Sequence, residues 1–136
     1  MKITETQLKG CFILEPTVYE DERGIFFESY HKTNLEKALG KTINFVQDNI
    51  SVSKKGVLRG LHYQAGKHAQ SKLVQVVQGE VLDIVVDLRR ESNTYGQYFK
   101  LKLSSENRKS LFIPKGMAHG FLALTPEVIF SYKCDS

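Results

Sequence analysis

The stretch KLVQVVQGEVLDIVVDL, residues 72–88, alternates apolar and polar side chains on both sides of a single glycine. A period of two places alternate side chains on opposite faces of a strand, and Gly79 supplies the backbone freedom that a tight reversal needs. The pattern therefore predicts two antiparallel strands joined by a turn. Lys72 shares a face with Val74 and Val76 in the first strand, so we expect its charge to point into the protein.

The same alternation, rich in β-branched and aromatic residues, recurs along the chain. Turn residues separate the runs at DERG, QGE, SSEN and IPKG. Short, regularly spaced strands of this kind predict an all-β protein folded as an antiparallel jelly roll or barrel. Strands are predicted over residues 12–18, 25–30, 43–52, 72–77, 80–88, 98–104, 110–114, 120–125 and 128–133, and VLRGLHYQ, residues 57–64, also has a strand pattern.

One short segment favours a helix. Thr33 and Glu36 stand three apart as a capping box. Leu35, Ala38 and Leu39 form a short apolar face, and Gly40 can end the helix. We expect a surface helix of one or two turns.

Composition narrows the class of protein. With 136 residues and a mass of 15.5 kDa, the chain is predicted to form one domain over residues 1–136. No apolar run reaches the ~20 residues of a membrane span, and the first residues do not resemble a secretory signal, so a cytoplasmic location is expected. Cys11 and Cys134 are expected to be free thiols. The net charge of +4 without a basic run favours a small anionic ligand such as a phosphate over nucleic acid.

The segment IPKGMAHGF, residues 113–121, has the P-x-G-x-x-H spacing and resembles the second half of the cupin signature. Metal-binding cupins place two histidines two apart on a strand, whereas this chain has His62 and then Gln64. An amide is a poor ligand for a transition metal. His62, Gln64, His68 and His119 could form a makeshift site, but we predict a metal-free, cupin-like jelly roll.

Further motifs follow one another in a fixed order: DERGIFFESY, FVQDN, VLRGLHYQ, SKLVQVVQGEVLDIVVDLR, S-x-T-Y-G, LSSEN, IPKGMAHGF and YKC. Between about residues 11 and 134 the chain resembles the dTDP-4-dehydrorhamnose 3,5-epimerase family. The resemblance implies a cofactor-independent jelly-roll homodimer acting in dTDP-L-rhamnose biosynthesis. Its substrate would be a dTDP-4-keto-6-deoxy-hexose, inverted at C3 and C5.

Inversion beside a ketone requires a base, a group that stabilises the enolate oxygen, and an acid on the opposite face. The resemblance implies that His62 is the base and Tyr132 the acid, and Lys72 is positioned to stabilise the enolate. Without the resemblance, each residue has another interpretation. His62 could be a hydrogen-bonded histidine of the barrel and Lys72 a solvated lysine at a strand end, and a lone tyrosine such as Tyr132 is more often a packing residue.

The resemblance also implies a set of substrate-binding residues. Arginine suits a diphosphate because its planar guanidinium can form two parallel hydrogen bonds. The family exchanges N-terminal strands between subunits, which would place Arg23 and Glu28 near the cleft of the neighbouring subunit. Without the resemblance, Arg23 and Arg59 would be interpreted as solvated surface charges. The substrate-binding positions implied are Arg23, Glu28, Gln47, Asn49, Arg59 and His119.

Asp83 shares a strand face with Val81, Val85 and Asp87. We hypothesise that it pairs with Lys72 or His62.

The family pattern continues beyond its YK segment, where it carries an aspartate that pairs with the catalytic histidine. The present chain is expected to lack that segment. Three alternatives follow: a catalytically impaired cupin that binds nucleotide sugars, a mono-epimerase of another dTDP-4-keto-6-deoxy sugar, and a metal-dependent cupin.

Overall fold

Twelve strands and one α-helix make up the fold in the computed structural model, which describes residues 1–136. A six-stranded sheet has the order β1-β2-β10-β7-β12-β5, a four-stranded sheet has the order β6-β11-β8-β9, and β3 and β4 form a separate hairpin. The strands are β1 (Lys2–Glu5), β2 (Phe12–Glu15), β3 (Val18–Asp21), β4 (Gly24–Phe27), β5 (Gln47–Lys54), β6 (Leu58–His62), β7 (Lys72–Gln78), β8 (Glu80–Asp87), β9 (Tyr98–Ser104), β10 (Ser110–Ile113), β11 (Met117–Ala123) and β12 (Glu127–Cys134).

All pairings are antiparallel, and the predicted jelly-roll architecture is confirmed. The alternation in residues 72–88 places alternate side chains inside and outside, as predicted. On β8, Val81, Asp83, Val85 and Asp87 are buried, while the intervening residues are partly exposed.

The main core fills the space between the two large sheets. Phe121 on β11 and Phe130 on β12 stack across this space, with ring centroids 4.2 Å apart and planes 18° apart. Apolar burial of this kind contributes roughly 25 cal/mol per Å². The core also contains Leu8, Cys11, Val74, Val76, Val81, Val85, Leu103, Leu111, Ile113, Met117, Ala123 and Val128.

The helix α1 (Lys32–Leu39) exists, but its predicted capping box is wrong. His31 is the N-cap, and its Nδ1 accepts a hydrogen bond from the Asn34 backbone N–H at 3.2 Å. Glu36 instead accepts from the Ile43 backbone N–H at 2.9 Å. Gly40 ends the helix in the left-handed conformation, as predicted.

Several strand boundaries differ from the predictions. The strand predicted over 25–30 ends at Phe27, and the strand predicted over 120–125 begins at Met117. The predicted strand over residues 12–18 is two strands, because Pro16 lacks the N–H that would continue the ladder. The predicted strand over 43–52 begins only at Gln47. The sequence prediction also did not include β1, which pairs with β2.

No helix in the structure has the length and apolar character needed to cross a membrane.

Candidate active site

Two adjoining cavities lie between the two large sheets. The outer cavity has a volume of about 390 Å³ and the inner one about 140 Å³. Three side chains line both cavities, and they are the three predicted catalytic residues: His62, Lys72 and Tyr132. The structure therefore brings together groups that lie as far as 70 positions apart in the sequence.

The register of the six-stranded sheet places Lys72 and Tyr132 side by side. Lys72 pairs with Cys134, and Tyr132 pairs with Val74. Because the two side chains lie on one face, two positions apart across neighbouring strands, the Lys72 Nζ comes to 5.5 Å from the centre of the Tyr132 ring. The lysine charge thus reaches the cleft, as its strand face predicted.

His62 comes from the opposite sheet. It ends β6, where it pairs with His119 of β11, and its side chain is exposed to the cleft. No protein group forms a hydrogen bond with its ring. His62 and Tyr132 therefore approach the cleft from two different walls, β6 of the four-stranded sheet and β12 of the six-stranded sheet.

The pKa of Tyr132 is raised, mainly by burial and also by the nearby Cys134, although Arg59 opposes the shift. The phenol therefore keeps its proton at neutral pH, and a protonated phenol can act as an acid there.

Arg59 lines the inner cavity and is held by the neighbouring strand. Its Nε donates to the Ser53 Oγ at 2.8 Å and its Nη2 donates to the Val52 carbonyl at 3.3 Å. These two bonds leave part of the guanidinium fork free to bind an anion.

Close contact between β6 and β11 fixes the backbone beside Arg59. A Cβ added to Gly120 would lie 2.6 Å from the Arg59 carbonyl oxygen, a separation that side chains do not tolerate. Gly120 therefore lets β11 approach the strand that carries Arg59 and His62.

His119 and Asp83 form a buried pair in the wall of the inner cavity. The His119 Nε2 lies 2.8 Å from the Asp83 Oδ1. The hypothesis that Asp83 pairs with His62 or Lys72 is wrong as regards its hydrogen bond, because that bond goes to His119. Burial raises the pKa of Asp83, and the charges of His119 and Lys72 oppose the shift.

Gln47 and Asn49 line the outer cavity from β5, on the shared face that their spacing predicts. The Gln47 Nε2 donates to the Asn49 Oδ1 at 2.9 Å. Asn49 in turn pairs with Tyr132 across the ladder. These amides therefore extend the polar lining outward from the three central residues.

Arg23 and Glu28 lie outside both cavities. Arg23 is in the turn between β3 and β4, where its exposed guanidinium pairs with Asp21 at 2.6 Å. This pair lowers the pKa of Asp21. Glu28 follows β4 and is exposed. Within one chain, the structure does not bring these two residues to the other predicted site residues.

The four residues of the makeshift metal site do not form one ligand cluster. His62 and Gln64 line the outer cavity, while His119 is paired with Asp83 and His68 lies in a single 3-10 turn. No group of three His, Cys, Asp or Glu side chains is arranged to hold a metal ion.

Several cavity residues were missed in the sequence analysis, among them Ser51, Gln70, Met117 and Cys134. Two of them follow a predicted site residue by two positions, Ser51 after Asn49 and Cys134 after Tyr132. A strict period of two would have found both. Cys134 and Cys11 are buried free thiols, as expected.

Two antiparallel sheets with a polar cleft between them define a cupin-like jelly-roll protein. A sequence model described as dTDP-4-dehydrorhamnose 3,5-epimerase matches residues 5–136. The chain belongs to this family, and the resemblance seen in the sequence is confirmed.

Individual relatives agree with this assignment. The dTDP-4-dehydrorhamnose 3,5-epimerase of Salmonella typhimurium is 51% identical over 136 residues, which are 100% of this chain and 74% of that protein. The crystal structure of the Elizabethkingia anophelis enzyme matches with a TM-score of 0.96 and 52% identity, covering 100% of this chain and 74% of the other. A Legionella pneumophila epimerase in complex with dTDP-4-keto-L-rhamnose matches with a TM-score of 0.94 and 50% identity, covering 99% and 71%.

Proposed function

We propose that this protein inverts C3 and C5 of dTDP-4-dehydro-6-deoxy-D-glucose to give dTDP-4-dehydro-L-rhamnose, a step of dTDP-L-rhamnose biosynthesis. Family membership and about 50% identity along the chain support this isomerase activity. The observation that carries the mechanism is the convergence of His62, Lys72 and Tyr132 on one cleft.

In this mechanism His62 removes the proton from the carbon beside the ketone. The C–H electron pair moves to the carbonyl oxygen and forms an enolate. Lys72 stabilises that oxygen through its positive charge. Tyr132 then returns a proton to the same carbon from the other side.

The two walls of the cleft support this division of roles. A base and an acid that act on opposite faces of a sugar ring must stand on opposite sides of it. His62 and Tyr132 belong to different sheets and meet this condition. The reaction moves protons only and is redox-neutral, so it needs no redox cofactor. In the proposed mechanism Lys72 takes the place that a metal ion could otherwise occupy beside the enolate oxygen.

We assign substrate binding to Gln47, Asn49, Arg59 and His119 in the cleft. Arg59 supplies a planar cation for the diphosphate, and the amides of Gln47 and Asn49 supply hydrogen bonds at the outer end. Arg23 and Glu28 contribute only if the hairpin of β3 and β4 reaches the cleft of a second subunit.

A homodimer is therefore part of the proposal. The hairpin exposes large apolar side chains, including Phe26 at 70% and Tyr19 at 63% of their full area. Such exposure is typical of a surface that another chain covers. Light scattering coupled to gel filtration should give twice the 15.5 kDa monomer mass; a monomer would remove Arg23 and Glu28 from the site.

We further propose that the protein acts in the cytoplasm and does not bind nucleic acid. Buried, unpaired cysteines are compatible with a reducing compartment.

The decisive experiment follows deuterium from heavy water into dTDP-4-dehydro-6-deoxy-D-glucose by NMR. We expect exchange at C3 and C5, and we expect His62→Asn to lower its rate by ~100-fold or more. His31→Asn is the matched control, because it makes the same change at a helix N-cap where asparagine is also favoured.

Each other outcome has a defined meaning. Exchange at one carbon only would identify a mono-epimerase. Binding of the nucleotide sugar without exchange would identify a binding module and contradict the proposed reaction. Activity lost on treatment with a chelator and restored by a divalent metal would contradict the metal-free mechanism.

A further inference from the structure

The Asp83 carboxylate is completely buried, and only one of its two oxygens has a hydrogen-bond partner. Its side chain has no exposed surface, and its Oδ1 is 2.8 Å from the His119 Nε2. Its Oδ2 is buried without any hydrogen-bond partner. An unpaired buried carboxylate oxygen is destabilising, so its presence beside a cleft calls for an explanation other than stability.

Titratable groups face Asp83 from three elements. They are His119 on β11, Lys72 on β7 and Cys11 just before β2. Burial raises the pKa of the Cys11 thiol to about 12, so this group is neutral. Lys72 affects the carboxylate through space, without a hydrogen bond. Asp83 is thus the buried negative group behind a cavity lined by Lys72 and Arg59.

The orientation of the His119 ring is fixed on two sides. Asp83 holds its Nε2 edge, and Phe130 stacks on its face with centroids 6.0 Å apart and planes 24° apart. The ring lines the inner cavity together with His62, Lys72 and Tyr132. Its second nitrogen, Nδ1, has no partner in the protein and is the ring atom left for a ligand.

We propose that Asp83 is a positioning residue for the reaction, holding the Nε2 edge of His119 so that the Nδ1 edge of the ring faces a polar group of the bound nucleotide sugar. The inference rests on the proposed function. A carboxylate that hydrogen-bonds one ring nitrogen fixes the orientation of an imidazole and so sets which ring atom faces the ligand. His119 then acts on the substrate, and Asp83 acts only through His119.

Asp83→Asn is the informative substitution because it keeps the size of the side chain and an oxygen that can accept from Nε2–H. It removes the negative charge and replaces one carboxylate oxygen by an amide NH2 group. We expect kcat/KM to fall by roughly 10- to 100-fold, the range for loosening one oriented hydrogen-bonding group. Asp87→Asn is the matched control, because it makes the same change on the same buried face of β8 but away from the cleft. It should leave kcat/KM within about twofold of wild type, since Asp87 holds no group that acts on the substrate.

A double-mutant cycle separates positioning from a general structural role. His119→Gln should lower kcat/KM, and adding Asp83→Asn to it should lower it no further, because Asp83 has no other route to the substrate. Independent, multiplying effects would overturn the proposal. So would an Asp83→Asn protein with unchanged kcat/KM and only a lower melting temperature.

A measurement without turnover tests the same idea independently. Nitrogen-15 NMR of the histidine rings, assigned with His119→Gln, should show the His119 Nδ1 signal shifting when dTDP-glucose is added. In Asp83→Asn the His119 ring signals should differ from those of the wild type, because the group that holds Nε2 has changed. Unchanged His119 signals in both comparisons would overturn the inference even if the wild-type protein is an active epimerase, and the expected shifts would support it even if turnover is absent.

Discussion

Asp83 and Asp87 lie on the same face of β8, four residues apart, and both are buried, yet their surroundings are opposite. Asp87 accepts from the Arg89 backbone and guanidinium, from the Ser92 Oγ at 2.7 Å and from the Thr94 Oγ1 at 2.5 Å. Asp83 accepts only one hydrogen bond, from His119.

The two pKa values move in opposite directions for this reason. Burial alone would raise the pKa of Asp87, but the bonds from Arg89, Thr94 and Ser92 hold it far below its usual range. Burial raises the pKa of Asp83, and the two nearby cations oppose this shift without reversing it. One carboxylate therefore stabilises the loop that follows β8, while the other is kept at the cleft at the expense of stability.

The largest expected effect on stability belongs to Asp87. Asp87→Asn should lower the free energy of unfolding by about 3 kcal/mol at pH 7, the scale for breaking a buried charged network. Because its folded pKa lies below its ordinary value of 3.8, this stabilisation is present above that value and is lost as the pH falls below it. Urea denaturation at pH 7 and at pH 3 should show a smaller gap between variant and wild type at pH 3; an equal gap would contradict the assignment.

Gly120, which lines the inner cavity, allows a test of close packing between β11 and β6 instead of a test of charge. Gly120→Ala places a Cβ against the Arg59 carbonyl and should lower the free energy of unfolding by about 2 kcal/mol while displacing β6. We expect a larger loss of epimerase activity than the loss of folded protein explains. Ala118→Gly, a neighbouring change on β11 in the opposite direction, is the control, and equal activities per folded molecule would refute the constraint.

Asp83→Asn should have a small effect on stability, within about 1 kcal/mol at pH 7, because it also removes a poorly satisfied charge. Its pH dependence should run opposite to that of Asp87. Because the pKa of Asp83 in the folded protein is raised above its ordinary value of 3.8, the side chain contributes stability below pH 3.8. This contribution is lost as the pH rises through the raised pKa. The gap to wild type should therefore shrink from low to high pH in urea titrations; a gap that widens would mean that the carboxylate is well satisfied.

The smallest effect is expected on the hairpin. Arg23→Ala removes a fully exposed ion pair with Asp21 and should leave the melting temperature unchanged. If the hairpin reaches a second subunit, KM should rise severalfold while the oligomeric state stays the same. Lys2→Ala, another exposed cation outside the hairpin, should leave both values unchanged, and an unaltered KM in Arg23→Ala would separate the hairpin from substrate binding.

The sequence predicted features that depend on local pattern. Alternation gave the strands and the faces of Lys72 and Asp83, and glycine and proline gave the turns. Features that depend on register were not accessible in this way. Asp83 meets His119 because Phe121 pairs with Asp83 and His119 pairs with Val85 on neighbouring strands, and nothing in the sequence of either strand specifies that alignment.

The helix cap shows a different limit. Thr33 and Glu36 fit the capping pattern, yet the helix begins two residues earlier than they predict, and the ring of His31 serves as the cap. Short patterns of this kind compete with side chains of similar chemistry nearby, and the tertiary contact of Glu36 with Ile43 decides between them. Likewise, a position for Arg23 and Glu28 relative to the cleft depends on contacts beyond one chain.

The stacked pair of Phe121 and Phe130 joins the sheet that carries His62, on the edge strand β6, to the sheet that carries Tyr132, on the interior strand β12. The two rings fill the core between these walls, so their size helps to set the distance from one wall to the other. A conservative exchange in this apolar pair should therefore change the width of the cleft without altering His62 or Tyr132. In the proposed mechanism, the packing of the hydrophobic interior would thus help to place the two groups on opposite sides of the sugar.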